Sequence, residues 1–220
     1  MTSMKTLMGV IGMTMVALAS GAAAADLTDM ALPAPRMAGG KPLMQALKER
    51  QSARAFSAKP LPAQVLADLL WAAFGINRPD SGKRTAPSAR NWQEVDVYAI
   101  MADGAYLYDA KANSLRAVAK GDLRKLTGTQ EFVSAVPLNL VYVADMTRMK
   151  GAAPEDRALY SGADVGFISQ NVYLFCASAG LATVVRGLVD RDALAKALNL
   201  PEQKKIILTQ TVGYPGTEAR

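Results

Sequence analysis

The chain contains no histidine, and no other feature of its composition removes more chemistry. A Ser-His-Asp hydrolase, a Cys-His protease and a His-ligated zinc or iron site all need an imidazole, so none of them is predicted. The one cysteine, Cys176, has no partner for an internal disulfide, which leaves packing alone to hold the fold. It lies in the apolar run NVYLFCASAG, where a thiol acts as a small hydrophobe rather than a nucleophile. No G-x-G-x-x-G follows a strand pattern and no Walker-type loop occurs, so neither a Rossmann dinucleotide site nor a P-loop is predicted. The net charge of +6 is spread along the chain without a basic block, which gives no indication of nucleic-acid binding. An enzyme of this composition takes its chemistry from a cofactor, and no metal site is expected.

The N-terminus is read apart from the fold. Lys5, the apolar run LMGVIGMTMVALA and the small-residue segment SGAAAAD follow the order of a secretory signal peptide, and the run is short for a membrane span. Residues 1–25 are therefore expected to be a cleaved signal, with the mature chain starting near Asp26 in the periplasm or outside the cell, free of the membrane. Loss of Lys5 takes the net charge from +6 to +5. Residues 26–41, rich in Pro, Gly and Ala without periodicity, read as an extended arm that either wanders or lies on a partner subunit.

Residues 42–220 read as one domain. Pro42 opens a helix with Leu43, Ala46 and Leu47 on one face, and a second follows Pro62, with Val65, Leu66, Leu69, Leu70 and Ala73 as its stripe and Gly75 at its end. Val95 to Met101, AYLYD and SLRAVA alternate like antiparallel strands, with Asp103-Gly104 as a tight turn between the first two. Short helices are expected over 121–135. LNLVYVAD is a strand buried on both faces, and a central helix runs from about Glu155 to Ala179. A strand near Ala182 to Val185, a helix near Arg191 to Leu198 and the strand KIILTQTVG close the chain. The order predicts an α+β domain whose sheet is packed between helices.

Polar residues gather at three junctions. In ERQSARAF, Arg50 and Arg54 are four apart; if the helix persists they share a face with Ser52 nearby, and paired guanidiniums suit oxyanions. A solvated helix end is the plainer account. In RTAPSARNWQ, Pro87 favours an extended approach at Ala86, and Thr85, Ser88, Asn91 and Gln93 supply hydroxyls and amides. The plainer account is a helix N-terminus capped by Ser88. In GLATVVRG a helix stops at Gly180 and a short strand leads to the isolated Arg186.

Together these junctions resemble the FMN-dependent nitroreductase family. Its Arg-x-Ser-x-Arg-x-Phe matches Arg50, Ser52, Arg54 and Phe56, and its Pro-Ser-x-x-Asn-x-Gln matches Pro87, Ser88, Asn91 and Gln93. The late Gly-Leu is Gly180 and Leu181, and the terminal Gly-x-Pro is Gly213 and Pro215. The likeness spans Pro42 to Pro215 in order. TAPSARN, with AYLYD and Ser114-Leu115 after it, looks most like the branch of azoline-oxidising peptide dehydrogenases.

The resemblance implies a nitroreductase-like fold with a mainly antiparallel central sheet, in a homodimer holding two FMN at its interface. Carried over residue by residue, Arg50, Ser52 and Arg54 would touch the FMN phosphate, ribityl chain and ring edge. Pro87, Ser88, Ala89 and Asn91 would reach the other subunit's flavin. Val185, Arg186 and Gly187 would lie by the reactive N5 side, Gln130 near the ring, and Arg220 at the phosphate. No catalytic side chain is implied; Arg54 or Arg186 is the candidate cation tuning the flavin. Two departures stand out: the usual long C-terminal extension is missing, leaving the arm at 26–41 to substitute for it, and Ala89 stands where some members have a hydroxyl.

The expected activity is ping-pong hydride and electron transfer through flavin N5 to a small organic acceptor. NADH or NADPH is a possible donor, although both belong to the cytoplasm and no twin-arginine pair precedes the apolar run. Two alternatives stand beside it: a flavin- or ligand-binding protein without turnover, and an FMN-dependent dehydrogenase of a peptide or small heterocycle that uses oxygen.

Overall fold

A computed structural model describes Met1 and residues 26–216. The expected signal segment beyond Met1, and Arg220, lie outside the described residues.

The arm does not wander, nor does it need a partner subunit. Met30–Ala31 forms β1, an edge strand paired with its own chain at Met30↔Leu115 and Ala31↔Ser114. Leu32 is buried beside it, and Asn113 Nδ2 donates to the carbonyls of Leu32 and Pro33. Further on, Arg36 pairs with Asp68: Nε and NH2 donate to Oδ2 at 2.9 and 2.7 Å, and the Arg36 backbone N–H donates to Oδ1 at 2.8 Å. Composition alone concealed this because Pro and Ala carry little periodicity while the backbone hydrogen bonds that fix an edge strand are blind to side chain.

Helix α1 spans Leu43–Glu49 and α2 spans Ala63–Phe74, each entered from a proline. α2 buries Leu66, Leu69, Leu70 and Ala73, the stripe expected from its spacing. α1 departs from expectation: only Ala46 is buried, while Leu43, Met44 and Leu47 face outward. A small hairpin, β2 at Ile76–Arg78 and β3 at Lys83–Arg84, precedes the loop to the main sheet.

The meander comprises β4 at Val95–Ile100, β5 at Gly104–Asp109 and β6 at Ser114–Lys120; the turn between its first two strands falls at Ala102-Asp103, one residue earlier than expected, with Gly104 already in β5 and its carbonyl accepting Met101 N–H. Two 3-10 turns, Arg124–Thr127 and Glu131–Ser134, lead to β7 at Leu138–Asp145. Helix α3, Pro154–Ala179, starts with Pro at its first position and acids in its first turn, both suited to a helix N-terminus. It stops at Gly180, whose φ of 70° is the left-handed cap that glycine adopts without a Cβ penalty. β8 at Ala182–Arg186, α4 at Arg191–Ala197 and β9 at Lys204–Gly213 complete the chain.

Seven strands form one sheet in the order β1-β6-β5-β4-β7-β9-β8, every pairing antiparallel. β7 lies inside it and is covered on both faces. Leu138, Leu140 and Tyr142 pack with α2 and α3 through Leu69, Leu70, Val165 and Ile168. Val141 and Val143 pack with Leu194 and Leu198 from the α4 side. The apolar run of β7 is the sequence signature of that double cover. Cys176 sits inside the first cluster, and burial pushes its thiol above the usual range, so it is an inert packing residue.

Candidate functional site

The first junction is built by the end of a helix, not by its face. α1 stops at Glu49, and Arg50 already has extended geometry (φ −57°, ψ 120°), so Arg50 and Arg54 do not stack one turn apart. The chain beyond runs between β8 and the C-terminal segment. Ala53 N–H donates to Thr183 O at 3.0 Å, Ser57 N–H to Tyr214 O at 2.9 Å and Gly216 N–H to Ala55 O at 3.1 Å. A Cβ on Gly216 would fall 2.7 Å from the Phe56 carbonyl carbon, so this seam closes only around glycine.

These contacts bring ERQSARAF onto GLATVVRG. Tyr173 of α3 joins them: its hydroxyl shares a 2.8 Å hydrogen bond with Ser52 Oγ and accepts Val185 N–H at 3.0 Å. Arg50 lies over the Tyr173 ring, 5.3 Å from its centroid. Among the described residues Arg50 and Arg54 have no hydrogen-bonded or ionic partner for their guanidiniums. A cavity of about 470 Å³ beside them is lined by the intervening Glu49, Gln51 and Ala53, together with Tyr173 and Thr183. Arg50, Ser52 and Arg54 do not line it, so the cationic surface is the open face next to it. Two unpaired forks flanking a hydroxyl fit a phosphate, and the half-buried Val185 and exposed Gly187 continue the same edge.

Arg186 does not belong to that surface. It is only 6% exposed and lies on the opposite side of β8, where NH1 donates to Thr127 O at 2.8 Å and NH2 to Asn139 Oδ1 at 2.9 Å. Its Nε is buried without a partner, and burial lowers its pKa to about 10. Arg186 is therefore an internal brace rather than a free cation at a cofactor edge. Gln130 stands at the margin of the same brace, its Oε1 3.4 Å from Arg186 NH1. Gly128 lets the guanidinium through, since a Cβ there would sit 1.8 Å from NH1.

The second junction is neither a plain helix start nor part of the first site. Ala89–Asn91 is a single 3-10 turn; Ser88 precedes it in extended geometry and makes no side-chain cap. Arg90, Asn91 and Gln93 have φ of 49°, 54° and 48°, three non-glycine residues in the left-handed region within four positions. Ser88 Oγ accepts Gln93 N–H at 2.8 Å, Gln93 Nε2 donates to Asn91 Oδ1 at 3.0 Å, and Arg84 Nε donates to Gln93 Oε1 at 2.8 Å. The Ala89 N–H donates to Asp164 of α3. Pro87 and Asn91 are exposed and border a hollow of about 330 Å³ with Arg78, Arg84 and Thr85.

Tyr173 and Asp164 thus anchor the two polar clusters on one helix. Nine residues apart, they are separated by about 13 Å along its axis. A single chain presents two polar clusters, one in each half of α3. Glu94, wholly buried behind the second, completes that cluster. None of these three was predicted. The available signal was an acid on the buried stripe of α3, where Ser161, Asp164, Val165, Ile168, Val172 and Cys176 recur at helical spacing.

Among the described residues no group of three or more His, Cys, Asp or Glu side chains is placed to hold a metal, and no helix is long and apolar enough to cross a membrane.

Comparison with known proteins follows the same residues. The model of the Nitroreductase family matches residues 47–214. The crystal structure of a provisionally named nitroreductase from Ralstonia eutropha JMP134 is 43% identical, superposes with a TM-score of 0.83, and the match covers 87% of this chain and 91% of that one. The provisionally named nitroreductase MJ1384 of Methanocaldococcus jannaschii is 26% identical over 176 residues, 76% of this chain and 88% of that protein. The NADPH:FMN oxidoreductase of Vibrio harveyi, solved with NAD+, shares the fold at 20% identity with a TM-score of 0.58, over 81% of this chain and 72% of its own. A family match over most of the chain, carrying the three junctions in order on the expected antiparallel sheet, makes this chain a member of the nitroreductase family, whose members are generally flavin oxidoreductases.

Proposed function

We propose that the chain is an exported FMN-dependent oxidoreductase that works as a homodimer, each flavin held between Arg50, Ser52 and Arg54 of one protomer and the Pro87–Asn91 loop of the other. The observation that carries this reading is the pair of polar clusters about 13 Å apart along α3, one in each half of the helix. A two-fold axis that sets two α3 helices antiparallel brings the Tyr173 half of one against the Asp164 half of its partner. The outward face of α3 suits such a contact: Leu159 and Phe167 are 65% and 47% exposed, and the space around Gly162 and Gly166 is open. Leu43, Met44 and Leu47 of α1 are exposed as well, and bare apolar side chains of this kind suit a protein–protein contact.

Bound FMN supplies two-electron chemistry, received from a donor and passed to a second substrate in ping-pong turnover. The chain's own groups do the rest. Arg50 and Arg54 neutralise the phosphate, with Arg54 the exposed cation available to the ring edge now that Arg186 is internal. The backbone of Val185 to Gly187 lies along the reactive edge. NADH and NADPH are the donors to test first, and the acceptor is a small organic molecule entering between the protomers.

The test is the visible spectrum of the purified full chain. A yellow protein bleached anaerobically by NADH or NADPH supports the reading; a colourless one that ignores added FMN overturns it. The TAPSARN form favours one second reading, a dehydrogenase of a peptide or small heterocycle. Flavin reduced by such a substrate but by neither nicotinamide would select it, and flavin that nothing reduces would leave a binding protein. Phe167→Glu places a charge on the proposed dimer face while leaving each half-site intact. It is expected to convert dimer to monomer in sedimentation and to lose FMN at the same time; a variant that stays dimeric with full flavin would place the interface elsewhere.

A further inference from the structure

Two carboxyls lie behind the Pro87–Gln93 loop. Glu94 is 0% exposed and Asp164 2%. Asp164 accepts Ala89 N–H, its oxygens 3.0 and 3.3 Å away, and Glu94 Oε2 accepts the Ser88 hydroxyl at 3.3 Å. The two carboxyls thus hold adjacent residues of the loop, Ser88 and Ala89, while Glu94 Oε1 is buried without a hydrogen-bond partner. A buried orphan oxygen costs about 1–3 kcal/mol, and two ionised carboxylates in contact repel each other. One proton removes both penalties, because a protonated carboxyl is neutral and its buried oxygen becomes a donor. Between these anchors lie the left-handed Arg90, Asn91 and Gln93, a conformation that persists only where its surroundings over-determine it.

We propose that Glu94 and Asp164 are positioning residues that share one proton, and that the loop keeps its flavin-facing shape only while that proton is bound. The inference rests on the flavin reading for what the loop faces, and on the carboxyl pair for how the loop is held.

Among the described residues the charged groups on the surrounding elements form no ion pair with either carboxyl; Arg157 of α3 keeps a buried Nε without a hydrogen-bond partner, and the others are engaged elsewhere. Arg84 of β3 bonds Gln93 and the Phe74 carbonyl. Asp96 of β4 pairs with Arg148 and Lys204, and Asp145 at the end of β7 pairs with Arg148. Arg90 lies over the Trp92 ring. Among the described residues none of them pairs with Glu94 or Asp164. Burial, reinforced by the charge of Asp164, pushes Glu94 up to about 7 from the ordinary 4.5. A carboxyl raised in the native state favours that state fully below its ordinary pKa, and the advantage is lost as pH rises to the native value. The loop is therefore firm in acid and slackens as pH climbs from 4.5 through about 7.

The experiment uses the full chain, labelled with 13C at the glutamate side-chain carboxyl and followed by NMR before and after saturation with FMN. One glutamate is expected to titrate near 7 and to vanish in Glu94→Gln, which keeps a neutral donor in its place. Asp164→Asn, whose amide can donate to an ionised Glu94, should lower the midpoint. Tryptic cleavage after the exposed Arg90 should quicken with pH in the native sequence, relative to a peptide of the same segment, and stay slow in Glu94→Gln. FMN retention should fall several-fold between about pH 6 and about pH 8.5, the protonated fraction dropping about tenfold per unit above the midpoint, and should be flat in Glu94→Gln. No glutamate titrating above its ordinary range, or the same pH slope in Glu94→Gln as in the native sequence, overturns the proposal. A chain with the expected titration and cleavage that binds no FMN at any pH supports the carboxyl pair and overturns the flavin reading instead.

Discussion

Arg50→Ala combined with Arg54→Ala is expected to weaken FMN binding by about 100-fold or more, with little change in fold stability. A hydrogen bond to a charged group contributes about 1.5–3 kcal/mol, so two guanidiniums on one phosphate amount to about 3–6 kcal/mol, at about tenfold per 1.4 kcal/mol. Neither guanidinium supports the fold. Arg54 is exposed, and Arg50 rests on the Tyr173 ring without an ionic partner among the described residues. Surface substitutions of this kind shift stability by about 0.5 kcal/mol or less. Quenching of flavin fluorescence on titration measures the affinity, and thermal melting of the flavin-free chain supplies the control. Arg54→Lys separates charge from fork geometry, because lysine keeps the charge but cannot bond two oxygens in parallel; it should fall between the parent and the alanine variant. Affinity within about threefold of the parent in the double variant would remove the phosphate from this face.

The largest loss of stability is expected from Asn139→Ala. Asn139 is wholly buried and is the meeting point of three elements. Its Nδ2 donates to Val133 O at 2.9 Å, and its Oδ1 accepts both Arg186 NH2 at 2.9 Å and Thr211 Oγ1 at 2.6 Å. Alanine would leave a carbonyl, a hydroxyl and one arm of a buried guanidinium short of partners. Each unsatisfied group costs about 1–3 kcal/mol, so the three together cost at least about 3 kcal/mol. For a chain of this size that corresponds to a melting temperature about 10 °C lower. Calorimetry on the flavin-free protein checks it, and melting within about 2 °C of the parent would mean that the brace around Arg186 is not holding the turns at 124–134. Because that brace also fixes β8, the variant should bind FMN more weakly than its stability loss alone explains.

Both predictions use residues that the sequence presents in very different ways. Arg50 and Arg54 are conspicuous in it, as a polar cluster where a helix pattern ends. Asn139 is not: it stands second in LNLVYVAD, a run that reads as apolar strand and nothing more. The same contrast runs through the rest of the molecule. The α2 stripe, the double burial of β7 and the stop of α3 at Gly180 were readable because each depends on spacing within a few residues or on the conformational range of one. The exposed face of α1 was misread because periodicity reports that a stripe is apolar, not which surface covers it. The arm was misplaced because its anchors, Asp68, Asn113 and Ser178, lie 32 to 137 residues away.

The residue order alone excluded histidine-dependent chemistry and supplied the three junctions, whose resemblance to the family implied flavin chemistry. It also determined the elements whose periodicity is local. The tertiary structure decided which junctions meet. It joined the first to the third through Tyr173, set the second against the N-terminal half of α3 through Asp164, turned Arg186 into the interior and put Glu94 behind Ser88. The physical reason is the range of the interactions: helix and strand patterns are set by neighbours a few positions apart, whereas Ser52 and Tyr173 are 121 residues apart and Ala89 and Asp164 are 75 apart. Such pairs are made only when the packed core has already brought their backbones together.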